Sequence, residues 1–115
     1  MSPEERSLVE AWLRHWNARS DDAATLDAAA VARSSCACGT CPSFAVRPMV
    51  LDDSRLSSTE PYVSEGDATN DDGPGAGLLV WGLRDHLAPD EVEFEIYPFD
   101  DERVTLDQLR FRFAD

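Results

Sequence analysis

The sequence contains no lysine and only two histidines, His15 and His86, so few side chains are available to exchange protons near neutral pH. It also lacks the short motifs of common active sites: the G-x-S-x-G nucleophile elbow, the phosphate-binding loop, the dinucleotide fingerprint and the H-E-x-x-H zinc motif. These absences argue against conventional acid–base and nucleophilic enzymes. We therefore favour a non-enzymatic function.

Long apolar runs are also missing. The run of large apolar residues from Leu78 to Trp81 is far shorter than the roughly 20 apolar residues that a membrane-spanning helix requires. Residues 1–5 contain no basic segment leading into an apolar one, so we expect no signal peptide. The three cysteines are odd in number and clustered, which favours a reducing compartment over a disulfide framework. We expect a cytoplasmic protein with a single domain over residues 1–115.

Positive charge is scarce as well. All ten basic residues are arginine, and they stand against twenty-three aspartates and glutamates, which gives a formal net charge of −13. Such a surface repels nucleic-acid phosphates and anionic lipid, so neither nucleic acid nor a membrane is expected as a partner. It favours cations or a basic protein surface. A second copy of the chain is the other partner we consider, with Trp81 marking the contact if its strand has an open face.

What the sequence does contain is a concentration of sulfur. Residues 36–43 read CACGTCPS and hold Cys36, Cys38 and Cys41. Gly39 permits the turn in which the two cysteines of a C-x-x-C motif converge, and Cys36 lies on the same side as Cys38 if the segment is extended. Three interpretations follow: a structural turn of small buried residues, a metal site, and a redox pair. In the redox interpretation the disulfide joins Cys38 and Cys41.

A zinc site needs a fourth ligand, which a histidine, a carboxylate, water or a second subunit would provide. His86 is our candidate, with Cys36, Cys38 and Cys41. In a simple three-stranded meander the turn that carries His86 returns to the end of the sheet that holds the cysteines. A further strand near residues 62–65 would add one more reversal of the chain direction. It would place His86 at the end of the sheet opposite the cysteines.

The C-x-C-G-x-C-P-S turn follows a helical N-terminal stretch and precedes a glycine-plus-apolar strand and an acidic strand that ends in aromatic residues. In this arrangement the chain resembles a group of small uncharacterised bacterial proteins. The resemblance covers most of the chain, and the Cys-Pro-Ser turn is its distinctive part. It implies a stand-alone bacterial domain and no particular activity.

Two helices are predicted near the N-terminus. Ser2, Pro3 and Glu5 form a capping-box start, and an apolar face at helical spacing runs to about Ala18. A second, shorter helix is predicted over residues 23–29, after the cap residues of 20–22, with Leu26 as its large apolar anchor.

Strands are predicted for most of the remaining chain. Residues 31–35 and 44–47 form the arms of a hairpin with the cysteines at its tip, and residues 77–84 form a central strand. Within residues 49–77 we expect a hidden strand near 61–65, and residues 67–73 are predicted to form a solvated tip rather than a calcium loop. Residues 105–109 form a short helical turn, and residues 110–113 alternate as a final extended segment.

The clearest strand covers residues 92–96. Val92, Phe94 and Ile96 are predicted to face the core. Glu91, Glu93, Glu95 and Tyr97 alternate with them and should face outward. We interpret the three glutamates as a solvated face, because alternation alone explains them, rather than as paired catalytic carboxylates.

Together these elements predict an α+β domain: two N-terminal helices on a mainly antiparallel sheet of three to five strands, with a cysteine-rich hairpin tip and a short C-terminal helical turn. The function we favour is a small acidic binding module whose Cys36–Cys41 turn is structural and stabilised by zinc where a metal is present. The alternative is a thiol-redox or metal-handling protein that uses Cys36, Cys38 and Cys41.

Overall fold

Within the residues that the structure describes, the fold consists of one α-helix, six β-strands and one short 3-10 turn. A computed structural model describes residues 1–18, 24–34, 42–51, 62–71, 73–82, 84, 86–87, 91–99 and 105–114. The elements in chain order are α1 (Pro3–Asn17), β1 (Ala24–Ser34), β2 (Phe44–Leu51), β3 (Tyr62–Asn70), β4 (Gly73–Trp81), β5 (Val92–Pro98), the 3-10 turn (Leu106–Gln108) and β6 (Arg110–Phe113).

Helix α1 begins as the sequence predicts. The Ser2 side chain accepts a hydrogen bond from the Glu5 amide, and the Glu5 carboxylate accepts one from the Ser2 amide, which completes the capping box. Pro3 occupies the first turn, where a missing N–H costs nothing. One face of the helix is buried, and its members recur at helical spacing: Leu8, Val9, Trp12, Leu13 and Trp16.

The predicted α+β domain, with a pair of helices on a three- to five-stranded sheet, is wrong, because the structure is mostly sheet and the sheet has six strands. Within the described residues only α1 is an α-helix, and Ala24–Ser34, where the second helix was expected to lie, forms the edge strand β1. Leu26 is the only large apolar side chain in the predicted second helix, so a helix there would bury little. As a strand the same segment pairs with β2, from Ala24 opposite Leu51 to Ser34 opposite Phe44. This pairing outweighs the preference of its alanines for a helix.

All six strands belong to one antiparallel sheet in the order β1-β2-β5-β4-β3-β6, which curls into a half-barrel. Helix α1 contacts both β1 and β6, which are the two opposite edges of the sheet. His15 on the helix stacks on Phe113 of β6 with 5.2 Å between ring centroids. The helix therefore lies in the concave side and connects the two edges.

The core fills the space between α1 and the concave face. The inward-facing residues Val92, Phe94 and Ile96 of β5 are buried, which confirms that prediction. Phe94 stacks on Phe44 with 5.1 Å between centroids and meets Trp12 edge-on at 5.7 Å. These aromatic contacts join the helix to the adjacent strands β2 and β5.

Residues 49–77 contain more regular structure than a loop. Strand β3 begins at Tyr62, in the predicted hidden segment, and continues to Asn70, so it includes most of the predicted solvated tip. The chain reverses into β4 between Asn70 and Gly73, which are paired; Asp71 is exposed and Gly73 has φ +117°. Strand β4 begins at Gly73, four residues before its predicted start.

The C-terminal segment matches the sequence prediction. The Thr105 amide donates to the Gln108 side-chain oxygen at 3.1 Å, and the Gln108 amide donates to the Thr105 carbonyl oxygen at 3.0 Å, which closes the 3-10 turn. Strand β6 then pairs with β3, from Thr69 opposite Arg110 to Gly66 opposite Phe113. The predicted final extended segment is thus the sixth strand of the sheet.

Gly66 allows β6 to approach β3. A Cβ atom at this position would collide with the main-chain carbonyl group of Arg112, which cannot move without disturbing the strand pairing. We expect Gly66→Ala to lower the free energy of unfolding by about 1–3 kcal/mol. Amide hydrogen exchange should accelerate at Arg112 and Phe113 and stay unchanged where β4 pairs with β5; equal protection of β6 in both proteins would contradict this placement.

Candidate functional site

The outward-facing acidic row of β5, Glu91, Glu93 and Glu95, is not the solvated face that the alternation suggests. Glu91 is 4% exposed and Glu93 is 3% exposed. Both residues lie on the face of the sheet opposite the hydrophobic core, so other side chains must cover them. The prediction of a solvated face is wrong for these two residues.

Glu91 is covered by arginines from β1 and β2. Arg33 of β1 binds it with two hydrogen bonds, from Nη2 to Oε1 at 2.6 Å and from Nε to Oε2 at 3.1 Å. Arg47 of β2 lies further away, with its Nε 4.0 Å from Oε2. The hydrogen bond to Glu91 raises the pKa of Arg33, so the guanidinium stays protonated.

Glu93 is held by two residues that follow β4. Arg84 Nη1 lies 2.5 Å from Glu93 Oε1, and His86 Nε2 lies 3.0 Å from Glu93 Oε2. The same Nη1 atom donates to Glu95 Oε2 at 2.9 Å, and Arg33 Nη2 donates to the His86 carbonyl oxygen at 3.0 Å. The contacts around Glu91 and Glu93 therefore form one ion-pair network, made of Arg33, Arg84, His86, Glu91, Glu93 and Glu95.

Arg84 also covers Trp81, with its guanidinium carbon 4.0 Å from the centroid of the indole ring. Burial alone would lower the pKa of Arg84, but the hydrogen bonds to Glu93 and Glu95 outweigh burial and raise it. The guanidinium is thus fixed between an aromatic face and two carboxylates. Trp81, proposed from the sequence as a surface for self-association, is half-buried beneath this cation.

The ion-pair network is better suited to stability than to chemistry. Arginine or histidine nitrogens contact both oxygens of Glu91 and both oxygens of Glu93. Acid–base work by two carboxylates requires environments that separate their pKa values, whereas here both carboxylates meet cations. The buried charges instead lock β1, β5 and the segment after β4 together.

The predicted metal ligands are only partly covered by the described residues. Cys36, Cys38 and Cys41 lie outside them, and the structure places His86 against Glu93. Within the described part of the chain, no group of three or more histidine, cysteine, aspartate and glutamate side chains converges as metal ligands. The zinc site therefore stays a prediction.

Ser43 ends the cysteine-containing stretch and is buried. Its hydroxyl accepts a hydrogen bond from the Ile96 amide at 2.8 Å and donates one to the Ile96 carbonyl oxygen at 3.2 Å. The serine hydroxyl thus satisfies both main-chain groups of Ile96, in place of a main-chain partner from β2, at the end of the β2–β5 pairing. This contact gives the Pro-Ser end of the motif a structural role.

An exposed aromatic pair, Tyr97 and Phe99, lies at the end of β5. The rings meet edge-on with 6.0 Å between centroids, and Tyr97 is 42% exposed and Phe99 54% exposed. The Tyr97 ring lies over Gly77 of β4, where a Cβ atom would collide with it, and the Phe99 amide donates to the Gly75 carbonyl oxygen at 3.1 Å. The pair is therefore exposed and firmly positioned.

The alternation of β5 predicts that Tyr97 faces outward, but it does not reveal the pair that Tyr97 forms with Phe99. Two features of the sequence together could have indicated the pair: the alternation of β5 and the presence of a glycine, Gly77, on the neighbouring strand β4. Two aromatic side chains on a surface are typical anchors of protein interfaces. The end of β5 is accordingly the described surface best suited to binding.

No helix among the described residues is both long and apolar enough to cross a membrane. The resemblance to small bacterial proteins with the same cysteine turn stays a prediction. No protein-family model, curated protein or solved structure matches the chain.

Proposed function

We propose that the chain is a small acidic binding module of the bacterial cytoplasm that recognises a positively charged protein through the aromatic pair Tyr97 and Phe99. The observation that carries this proposal is the pair itself, two large exposed rings held in place on the sheet. Aromatic residues contribute much of the energy of protein interfaces because they bury a large area with few rotatable bonds.

The positive charge of the partner is inferred from the carboxylates around the pair. Asp67 of β3 lies opposite Gly77, which in turn lies opposite Tyr97, so these residues form one row across three strands. Glu95 is two residues before Tyr97 on the same face but is paired with Arg84, as Asp67 is with Arg112, so the inference rests on the sequence Asp-Asp-Glu that follows Phe99 at residues 100–102 and on the net charge. Aromatic faces next to carboxylates attract arginine and lysine side chains.

The net charge supports the same choice of partner. The described arginines are mostly paired within the chain: Arg6 with Glu10, Arg33 with Glu91, Arg84 with Glu93 and Glu95, Arg110 with Asp71 and Arg112 with Asp67. The net charge of −13 is therefore carried by carboxylates in excess of these pairs. Such a surface accelerates association with a basic protein.

The alternative of a thiol-redox or metal-handling protein depends on Cys36, Cys38 and Cys41, which lie outside the described residues. The hydrogen bonds of Ser43 favour a structural turn over a reactive one. We keep zinc as the metal that such a turn would hold.

A random peptide library displayed on phage and selected against the immobilised protein tests this function. We expect the recovered peptides to be rich in arginine and lysine. Their affinity should fall at least about tenfold for the double variant Tyr97→Ser, Phe99→Ser, because two anchor rings are lost. Val31→Ser is the matched control, since Val31 is 63% exposed on β1, away from the pair, and this variant should bind like the wild type.

Three outcomes would overturn the proposal. Recovered peptides without an excess of positive charge would reject the basic partner. Equal loss of affinity in the double variant and in Val31→Ser would reject the aromatic pair as the site. A dimer by analytical ultracentrifugation that dissociates only in the double variant would show that a second copy covers the pair.

A further inference from the structure

A groove of about 380 Å³ lies between the N-terminal half of α1 and the C-terminal segment of the chain. Its floor is apolar, formed by Leu8, Leu109 and Phe111, of which the two leucines belong to the core. The groove exists because Ser7 and Ala11, one helical turn apart on α1, are too small to fill the space beside the 3-10 turn and β6. It is separate from the aromatic pair and from the ion-pair network.

Two carboxylates border this apolar floor. Glu4 lies in the first turn of α1, and Asp107 lies in the 3-10 turn. Asp107 accepts a hydrogen bond from the Thr105 hydroxyl. Within the described residues neither carboxylate forms an ion pair, and no arginine or histidine lines the groove. The site thus combines an apolar surface with two carboxylates that form no ion pair among the described residues, of which Glu4 also meets the positive end of the α1 dipole.

We infer that this groove binds small organic cations that carry an apolar body, of the arylalkylammonium class. The groove is partly open to solvent, and its volume of about 380 Å³ gives room for a phenyl ring and an alkyl chain that lie along the apolar floor. The ring lies against Leu8, Leu109 and Phe111. The ammonium group lies at the border, where Glu4 and Asp107 attract it and where an anion is repelled.

Three ligands of the same shape test the inference: 4-phenylbutylamine, 4-phenylbutanol and 4-phenylbutyrate, titrated into the full chain and followed by NMR. We expect the amine to bind about fivefold more tightly than the alcohol, and the carboxylate to bind more weakly than both, because the two exposed carboxylates each contribute modestly. The amides of Ser7, Ala11 and Phe111 should show the largest shifts.

Two variants test separately the contribution of the two carboxylates and the contribution of the groove volume to ligand binding. The double variant Glu4→Gln, Asp107→Asn alters exposed side chains and should bind the amine no better than the alcohol, with alcohol binding unchanged. Ala11→Leu keeps a good helix former, fills the groove and should weaken all three ligands at least about tenfold.

Equal affinities for the three ligands in the wild type, the largest shifts at residues outside the groove, or no saturable amine binding at millimolar concentration would overturn the inference. The charge variant keeps the test decisive even if Ala11→Leu disturbs folding. The peptide selection tests the aromatic pair and the ligand titrations test the groove. A negative result in one experiment therefore leaves the other proposal unaffected.

Discussion

Replacing Arg84 with glutamine should lower the free energy of unfolding by about 2–4 kcal/mol, because Glu93 then keeps a buried charge without its principal cation. The variant also loses the hydrogen bond to Glu95 and the contact with the Trp81 ring. Urea denaturation followed by circular dichroism measures the change. Few substitutions outside the core are expected to cost as much.

Arg47→Gln is the matched control for this variant. Arg47 is exposed, and its Nε lies 4.0 Å from Glu91, which already has two hydrogen bonds from Arg33. We expect a change within about 0.5 kcal/mol. Equal effects of the two substitutions would show that Arg84 does not stabilise a buried carboxylate.

Trp12→Ala should be at least as destabilising, by about 3–5 kcal/mol, because it removes the largest fully buried side chain of the core. Trp12 contacts Trp16 with 5.5 Å between centroids, meets Phe94 edge-on, and donates a hydrogen bond from Nε1 to Ser64 Oγ at 3.0 Å. It therefore connects α1 with both β3 and β5. Thermal and urea unfolding measure the loss.

Two milder substitutions control for the helix and for the hydrogen bond. Arg14→Ala changes an exposed residue on the same helix and should leave stability within about 0.5 kcal/mol. Ser64→Ala removes the hydrogen-bond acceptor of Trp12 and should cost about 1 kcal/mol. A Trp12→Ala variant no less stable than Ser64→Ala would contradict the packing of α1 in the concave face.

Helix α1 and strand β5 were predictable because their signals are local. Ser2, Pro3 and Glu5 specify the start of the helix through contacts within four residues. The alternation of Val92, Phe94 and Ile96 places these side chains on one face whatever the strand pairs with. Sequence patterns that depend only on neighbouring residues therefore predict the structure of the folded chain correctly.

The second helix was not predictable in the same way. Alanine-rich residues 24–30 favour a helix in isolation, but the segment has little apolar surface to anchor one. Its structure is decided by β2, which lies beyond the cysteine stretch and pairs with it along its length apart from an irregularity between Leu26 and Val31. Tertiary pairing overrode the local preference.

The acidic row was misinterpreted for a related reason. Alternation determines which face of β5 carries Glu91 and Glu93, but it does not determine what covers that face. The covering cations come from distant positions, since Arg33 lies fifty-eight residues from Glu91. His86, predicted as a zinc ligand beside the cysteines, contacts Glu93, a pairing that follows from the course of the chain between β4 and β5.

A double-mutant cycle between Arg84 and Glu93 tests most directly whether the outer face of β5 is closed by buried ion pairs. The structure predicts a coupling free energy of about 1.5–3 kcal/mol, with the double variant Arg84→Gln, Glu93→Gln more stable than Arg84→Gln alone. Additive effects of the two substitutions, with no recovery in the double variant, would contradict it.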